Sequence, residues 1–102
     1  MKKAIQIDGS DNVATVTSDV VGGASVEVLS PEGVTLMEPV VLDAVPFGHK
    51  LALRAFSKGD EIVKYGEVIG VASGEIRPGE WVHTHNVESA RVPTSAYEEA
   101  GR

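Results

Sequence analysis

The sequence predicts an all-β module of short, strongly bent strands. Two observations lead there: short β-branched runs in which apolar and polar residues alternate, and Gly or Pro turn signals between them. Val13, Thr15 and Thr17 oppose Ala14 and Val16, the period-2 pattern of a half-buried strand. Further runs follow at Ser25 to Leu29, Pro39 to Asp43, Glu61 to Val63 and Glu67 to Ala72. Between them stand Asp8-Gly9, Gly22-Gly23, Ser30-Pro31-Glu32-Gly33 and Pro78-Gly79, where Gly supplies a positive φ and Pro presets the second turn position. Gly66-Glu67-Val68-Ile69-Gly70 reads as a buried strand bounded by glycines, and Glu80 to Val87 also has strand character. A chain of 102 residues supports one core, expected over residues 1–88. Residues 89–102 are polar and contain Pro93, so a frayed tail or a short helix from Ser95 is expected there.

Three segments share a Gly in third place and a hydrophobic residue in sixth: Val21 to Val26, Ser57 to Ile62 and Arg77 to Val82. In each, the Gly can turn the backbone so that the next strand opens with an inward apolar side chain. This is a folding device rather than a site, and its spacing is too irregular for a solenoid.

The formal charge of -6 argues against nucleic acid or an anionic membrane surface as partner, because both select a clustered positive face. The charge is unevenly placed. Up to Asp43 the only cations are Lys2 and Lys3, whereas Lys50, Arg54, Lys58 and Lys64 face only Asp60 and Glu61 in their stretch. This basic island either holds an anionic substrate or is simply solvated. With no cysteine, any metal must be held by His or oxygen, and a reducing compartment is permitted. The apolar stretch from Ala4 to Ile7 is interrupted by Gln6 and ends at Asp8, too short for a signal peptide, and no segment has transmembrane length. A cytoplasmic protein is the expectation.

His83 and His85 lie two apart, so on a strand they leave the same face with Cα atoms roughly 6.5–7 Å apart. Two imidazoles so placed can converge on one metal ion, with Trp81 on the same face as floor or cover; an exposed polar pair at a sheet edge is the simpler reading of the pair alone. His49 follows Pro46-Phe47-Gly48 and shares a face with Leu51 and Leu53 if a strand starts there, as a half-buried hydrogen-bonded histidine or a ligand. On the opposite face Ala52 separates Lys50 from Arg54, leaving room for a carboxylate or for solvent. Phosphate loops, nucleophile elbows, dinucleotide fingerprints and aromatic-basic interleaving for RNA are missing.

Three segments together resemble one family. Pro46-Phe47-Gly48-His49-Lys50-Leu51-Ala52-Leu53, Lys64-Tyr65-Gly66-Glu67-Val68-Ile69-Gly70 and Gly79-Glu80-Trp81-Val82-His83-Thr84-His85-Asn86 look like the small N-terminal module of altronate and galactarate dehydratases. The resemblance is strong from Val45 to Val87 and weaker from Asp11 to Leu29. It implies a SAF-type β-clip fold of bent hairpins and a lyase that dehydrates a sugar acid. It further implies a divalent cation of the iron, manganese or magnesium type. His83 and His85 would contact metal or substrate oxygen, His49 and Lys50 would transfer protons or bind carboxylate, and Arg54 and Asn86 would bind substrate. Longer family members continue into a large domain whereas this chain stops at Arg102, so a separate large catalytic subunit is expected to complete the site and share the metal. Sulfolactate sulfo-lyases resemble the same split arrangement, which leaves the leaving group open. A carbohydrate- or acid-binding regulatory module without catalysis, and a purely structural assembly module, are the rival readings.

Overall fold

The computed structural model describes residues 1–89, so the tail expected over 89–102 and its helix from Ser95 lie outside the described residues except for Ser89. No helix occurs among the described residues. The strands are β1 (Lys2–Ile5), β2 (Val13–Val16), β3 (Val26–Leu29), β4 (Thr35–Met37), β5 (Lys50–Ala52), β6 (Glu61–Lys64), β7 (Glu67–Ala72), β8 (Trp81–Val82) and β9 (Val87–Glu88). They form one sheet in the order β4-β3-β1-β2-β5-β8 and a second in the order β6-β7-β9. The β1 and β3 strands pair in parallel, and the other strand pairs are antiparallel. The chain is all-β, as the alternation and turn chemistry predict.

A seven-residue unit organises both sheets. The three Gly-centred segments are joined by a fourth, Pro46 to Leu51, and each follows a buried apolar residue: Val20, Val45, Phe56 and Ile76. The third residue of each segment is Gly23, Gly48, Gly59 or Gly79, with φ of 92°, 83°, 91° and 87°. In each, the fourth residue's N–H donates to the first residue's carbonyl, at 3.3, 2.9, 2.9 and 3.1 Å. That bond with a positive φ at the third residue is a type II turn. Each unit closes on a fully buried residue, Val26, Leu51, Ile62 or Val82. The flanking residues pair across the molecule, Val20 with Val45 and Phe56 with Ile76, so the four turns operate as two couples.

Two apolar clusters result. One gathers around Leu51, Val16, Val26, Val28, Val41 and Val45, the other around Ile62, Ile76, Phe56, Val13 and Val82. Strands β2 and β5 both straddle the boundary, Ala14, Val16 and Leu51 joining the first cluster and Val13 and Ala52 the second. A buried carboxylate ties distant loops together: Asp11 accepts from the backbone N–H groups of Asp8 at 3.0 Å, Tyr65 at 3.1 Å and Gly66 at 2.8 Å.

Three predicted elements differ. Pro39 to Asp43 makes only an isolated bridge at Val40, because its backbone bonds go to Ala24, Gly23 and Val26 on one side and Gly79 on the other, which prevents a continuous ladder. The strand at Gly66 to Gly70 exists as the start of β7, but Val68 and Ile69 are exposed rather than buried. Finally, Glu80 to Val87 is two short strands of different sheets joined by a turn, since β8 ends at Val82.

The turn glycines differ in surroundings, which separates backbone strain from steric clash. A Cβ at Gly59 meets nothing within 4 Å, whereas one at Gly79 would lie 2.2 Å from the Val40 carbonyl oxygen. Gly59→Ala is expected to lose about 1–2 kcal/mol, the left-handed cost alone, and Gly79→Ala at least about 1 kcal/mol more, from overpacking against rigid backbone. Urea denaturation of both variants checks the order; equal losses would show that the Val40 segment yields freely.

Candidate functional site

In the β5–β8 pair Lys50 lies opposite Val82, and Leu51 opposite Trp81. Cross-strand partners share a face, so Lys50 projects with Val82 and Trp81 projects with Leu51. His49, two residues before Leu51, falls on the Trp81 side, and Trp81 Nε1–H donates to His49 Nδ1 at 3.2 Å. The His83 ring stacks on Trp81 at 7° with centroids 5.4 Å apart, and lies 4.5 Å from the His49 ring. His85 packs against the same indole at 4.9 Å. The structure therefore gathers all three histidines around one tryptophan.

The route by which His83 and His85 meet is not the one their spacing suggested. They occupy a turn at the seam between the sheets rather than alternate places on one strand. Asn86 closes it: Oδ1 accepts from the His83 N–H at 2.9 Å, Nδ2 donates to the Trp81 carbonyl at 2.9 Å, and its own N–H donates to the His83 carbonyl at 3.1 Å. Asn86, expected to bind substrate, has its carboxamide committed to shaping the loop that carries the histidines. Asp43 secures the other side of Trp81, its Oδ2 accepting from the Trp81 backbone N–H at 3.1 Å.

Behind this aromatic cluster a cavity of about 270 Å³ opens between the sheets, lined by Lys50, Ile69, His83, Thr84, Val87, Glu88 and Ser89. Half-burial holds the Lys50 amine below its usual value, and the nearby Lys64 cation adds to the effect. Lys50 has no ion pair among the described residues. His83 borders both the cavity and the aromatic cluster, and its pKa is lowered first by partial burial, then by the fields of His49, Lys50 and His85. The cavity carries both signs, Lys50 and His83 together with Glu88.

Arg54 lies elsewhere. It follows the end of β5, with its guanidinium 4.5 Å over the Phe56 ring, Nη1 donating to the Ala55 carbonyl at 2.7 Å, and Asp60 Oδ2 at 3.7 Å. Ala52, read as leaving room for a carboxylate between Lys50 and Arg54, is fully buried, so the two cations share no open face. Sequence reasoning missed Lys64, Ile69 and Thr84 as neighbours of the site, since β7 and the 83–86 turn reach it only through tertiary packing.

Among the described residues no three His, Asp or Glu side chains form a group able to hold a metal ion. His49 Nδ1 is moreover occupied by the Trp81 indole. These residues do not by themselves fit a divalent ion, which takes at least three protein ligands in a zinc-type site and more oxygen in a magnesium-type one. No helix among the described residues is long and apolar enough to cross a membrane.

Fold and site together define a small all-β module that presents a tryptophan–histidine cluster beside a cavity carrying Lys50, His83 and Glu88. The chain belongs to the altronate/galactarate dehydratase SAF domain family, whose model matches residues 2–90. It is 40% identical over 89 residues to the altronate dehydratase of Bacillus subtilis (strain 168), a match covering 87% of this chain and 17% of that protein. To the galactarate dehydratase (L-threo-forming) of Escherichia coli (strain K12) it is 35% identical over 89 residues, covering 87% and 16%. It is also 47% identical over 51 residues to the (2R)-sulfolactate sulfo-lyase subunit alpha of Chromohalobacter salexigens, covering 50% of this chain and 54% of that subunit. The chain thus spans a small part of the dehydratases and about half of the sulfo-lyase subunit.

The lowered His83 pKa sets a pH dependence of stability. Below its unfolded value of 6.5 the unfolded chain binds more protons at this residue than the folded one. The associated stability is present above that value and is lost as pH falls toward the folded pKa. His83→Gln is expected to flatten this part of the acid loss in urea melts followed by fluorescence of Trp81, the sole tryptophan. An unchanged acid limb would assign the loss to other groups.

Proposed function

We propose that this module forms one wall of the active site of a lyase that dehydrates a sugar acid of the altronate or galactarate type, working with a larger catalytic polypeptide. The observation that carries the reading is Lys50: a half-buried ammonium without an ion pair among the described residues, in a cavity it shares with His83 and Glu88, in a chain of net charge -6. A carboxylate reaching Lys50 would give its ammonium the charge-assisted partner that it lacks. The cavity's 270 Å³ falls below the roughly 300–1,000 Å³ of pockets that enclose a whole ligand, which supports seating one end of a polyol acid here and the rest against the partner.

In dehydration a base, which the partner would supply, takes the proton from the carbon beside the carboxylate, the C–O bond of the next carbon breaks, and the departing hydroxide leaves as water once an acid protonates it. Both steps build negative charge on the substrate's oxygens. Lys50 binds the carboxylate and stabilises that charge. His83, its pKa lowered by partial burial and by the fields of His49, Lys50 and His85, offers a ring nitrogen to the adjacent hydroxyl. A divalent cation of the iron, manganese or magnesium type would supply Lewis acidity; the ligands this chain lacks would come from the partner, with His85 its candidate contribution.

A second reading keeps the same site and changes the leaving group to sulfite. It is favoured by the 47% identity to a sulfo-lyase subunit whose name marks it as one subunit of its enzyme.

The test is a complex recovered through this full chain from its native cells and assayed on aldonates, aldarates and sulfolactate. A partner of a few hundred residues and turnover of a sugar acid are expected. Lys50→Met should raise KM by about 10–100-fold, the worth of a charge-assisted hydrogen bond to carboxylate of roughly 1.5–3 kcal/mol. His83→Ala, alone and with His85→Ala, should abolish turnover without altering the fold. Unchanged kinetics in these variants would remove the site assignment, and binding of acids without elimination would favour a regulatory module.

A further inference from the structure

We infer that Trp81 is a positioning residue that fixes the tautomer of His49, so that His49 meets the substrate as a hydrogen-bond donor through Nε2–H. An indole N–H can only donate, and a neutral imidazole carries one donor and one acceptor nitrogen. Since Trp81 Nε1–H donates to His49 Nδ1 at 3.2 Å, the lone pair is on Nδ1 and the hydrogen on Nε2. No hydrogen-bond partner for His49 Nε2 occurs among the described residues. The accepting nitrogen is therefore occupied and the donating one is open, which leaves no lone pair on neutral His49 for a base or a metal ligand.

Trp81 is itself held at its backbone and on its ring. Asp43 accepts from its backbone N–H, Asn86 donates to its carbonyl, and the His83 ring stacks on its face. This support is what a pre-organised donor requires, because a hydrogen bond aimed at developing charge gains most when nothing must reorient. The inference rests on the reading of this cluster as a substrate wall for its functional half, namely that the Nε2–H, on the face of β5 opposite Lys50, meets a part of the acid that extends past His83, the residue bordering both the cavity and the aromatic cluster. The tautomer itself stands independently of that reading.

Two measurements separate the halves. In the full chain with nitrogen-15 in histidine and tryptophan, NMR in alkaline buffer should detect a through-hydrogen-bond coupling between Trp81 Nε1 and His49 Nδ1. It should also find His49 wholly in the Nε2–H form. Trp81→Phe keeps a stacking ring but removes the donor, and should admit the Nδ1–H form. Absence of the coupling, an Nδ1–H His49 in the natural chain, or a tautomer unaffected by Trp81→Phe would each overturn the inference; if that variant does not fold, the coupling in the natural chain decides.

In the assembled enzyme His49→Ala should lower kcat by about 10²-fold, as loss of one pre-organised donor does. His49→Gln, able to accept from Trp81 at one end and donate at the other, should recover part of it. Trp81→Phe combined with His49→Ala should be no worse than His49→Ala alone, and additive losses would sever Trp81 from His49. If no lyase is recovered, the NMR result still tests the tautomer, so failure of the functional proposal and failure of this one are distinguishable.

Discussion

The structure depends on one backbone constraint used four times: a type II turn whose third residue must hold a positive φ, set between two buried apolar side chains. The glycines at 23, 48, 59 and 79 satisfy it, and the buried residues on either side convert each turn into a fixed bend of the core. A turn alone has little stability, since it trades backbone entropy for one hydrogen bond. Here each turn is anchored because Val20 pairs with Val45, and Phe56 with Ile76, so every bend is held by its opposite number. Strands β3, β5, β6 and β8 all begin within or directly after such units, and their direction follows from the bend.

The site is a by-product of where two of these units fall. The unit at Pro46 to Leu51 places His49 and Lys50 on opposite faces of one strand, and the unit at Arg77 to Val82 brings Trp81 alongside. Strand β8 then stops after Val82, because Asn86 folds the chain back on the Trp81 carbonyl and the His83 N–H. The turn carries His83 to the seam, where it touches the aromatic wall on one side and the lysine cavity on the other. Lys50 and His83 share that cavity with Glu88, and Lys64 is near enough to act on Lys50 through its field. Desolvation and that field both disfavour the charge on Lys50.

The polar groups of this cluster are held in place by one another, His49 by Trp81, Trp81 by Asp43 and Asn86, and His83 by the closed turn. The family's dehydratases are several times longer than the matched segment, consistent with a module whose cavity seats a fragment of a ligand rather than the whole. Orientation is the main contribution such a surface makes, since a group already in place costs nothing to reorganise when charge develops.

Local chemistry was enough to determine the all-β class, the turn glycines at 23, 33, 59 and 79, and the family, though Gly9 lacks the positive φ its turn signal suggested. Alternation, β-branching and positive-φ requirements act within a few residues, and the motifs around His49 and Trp81 are contiguous. It also singled out three Gly-centred units, though the fourth, hidden in Pro46 to Leu51, became visible only when Gly48 showed the same bond and φ. Tertiary structure alone decided that His83 and His85 meet through a turn, that Asn86 builds that turn, and that Arg54 is separated from Lys50 by the buried Ala52. It also decided that Lys64 and Ile69 belong beside Lys50. The physical reason is the end of β8: two-residue periodicity places side chains only while the ladder lasts, and this ladder ends one residue before the first histidine of the pair.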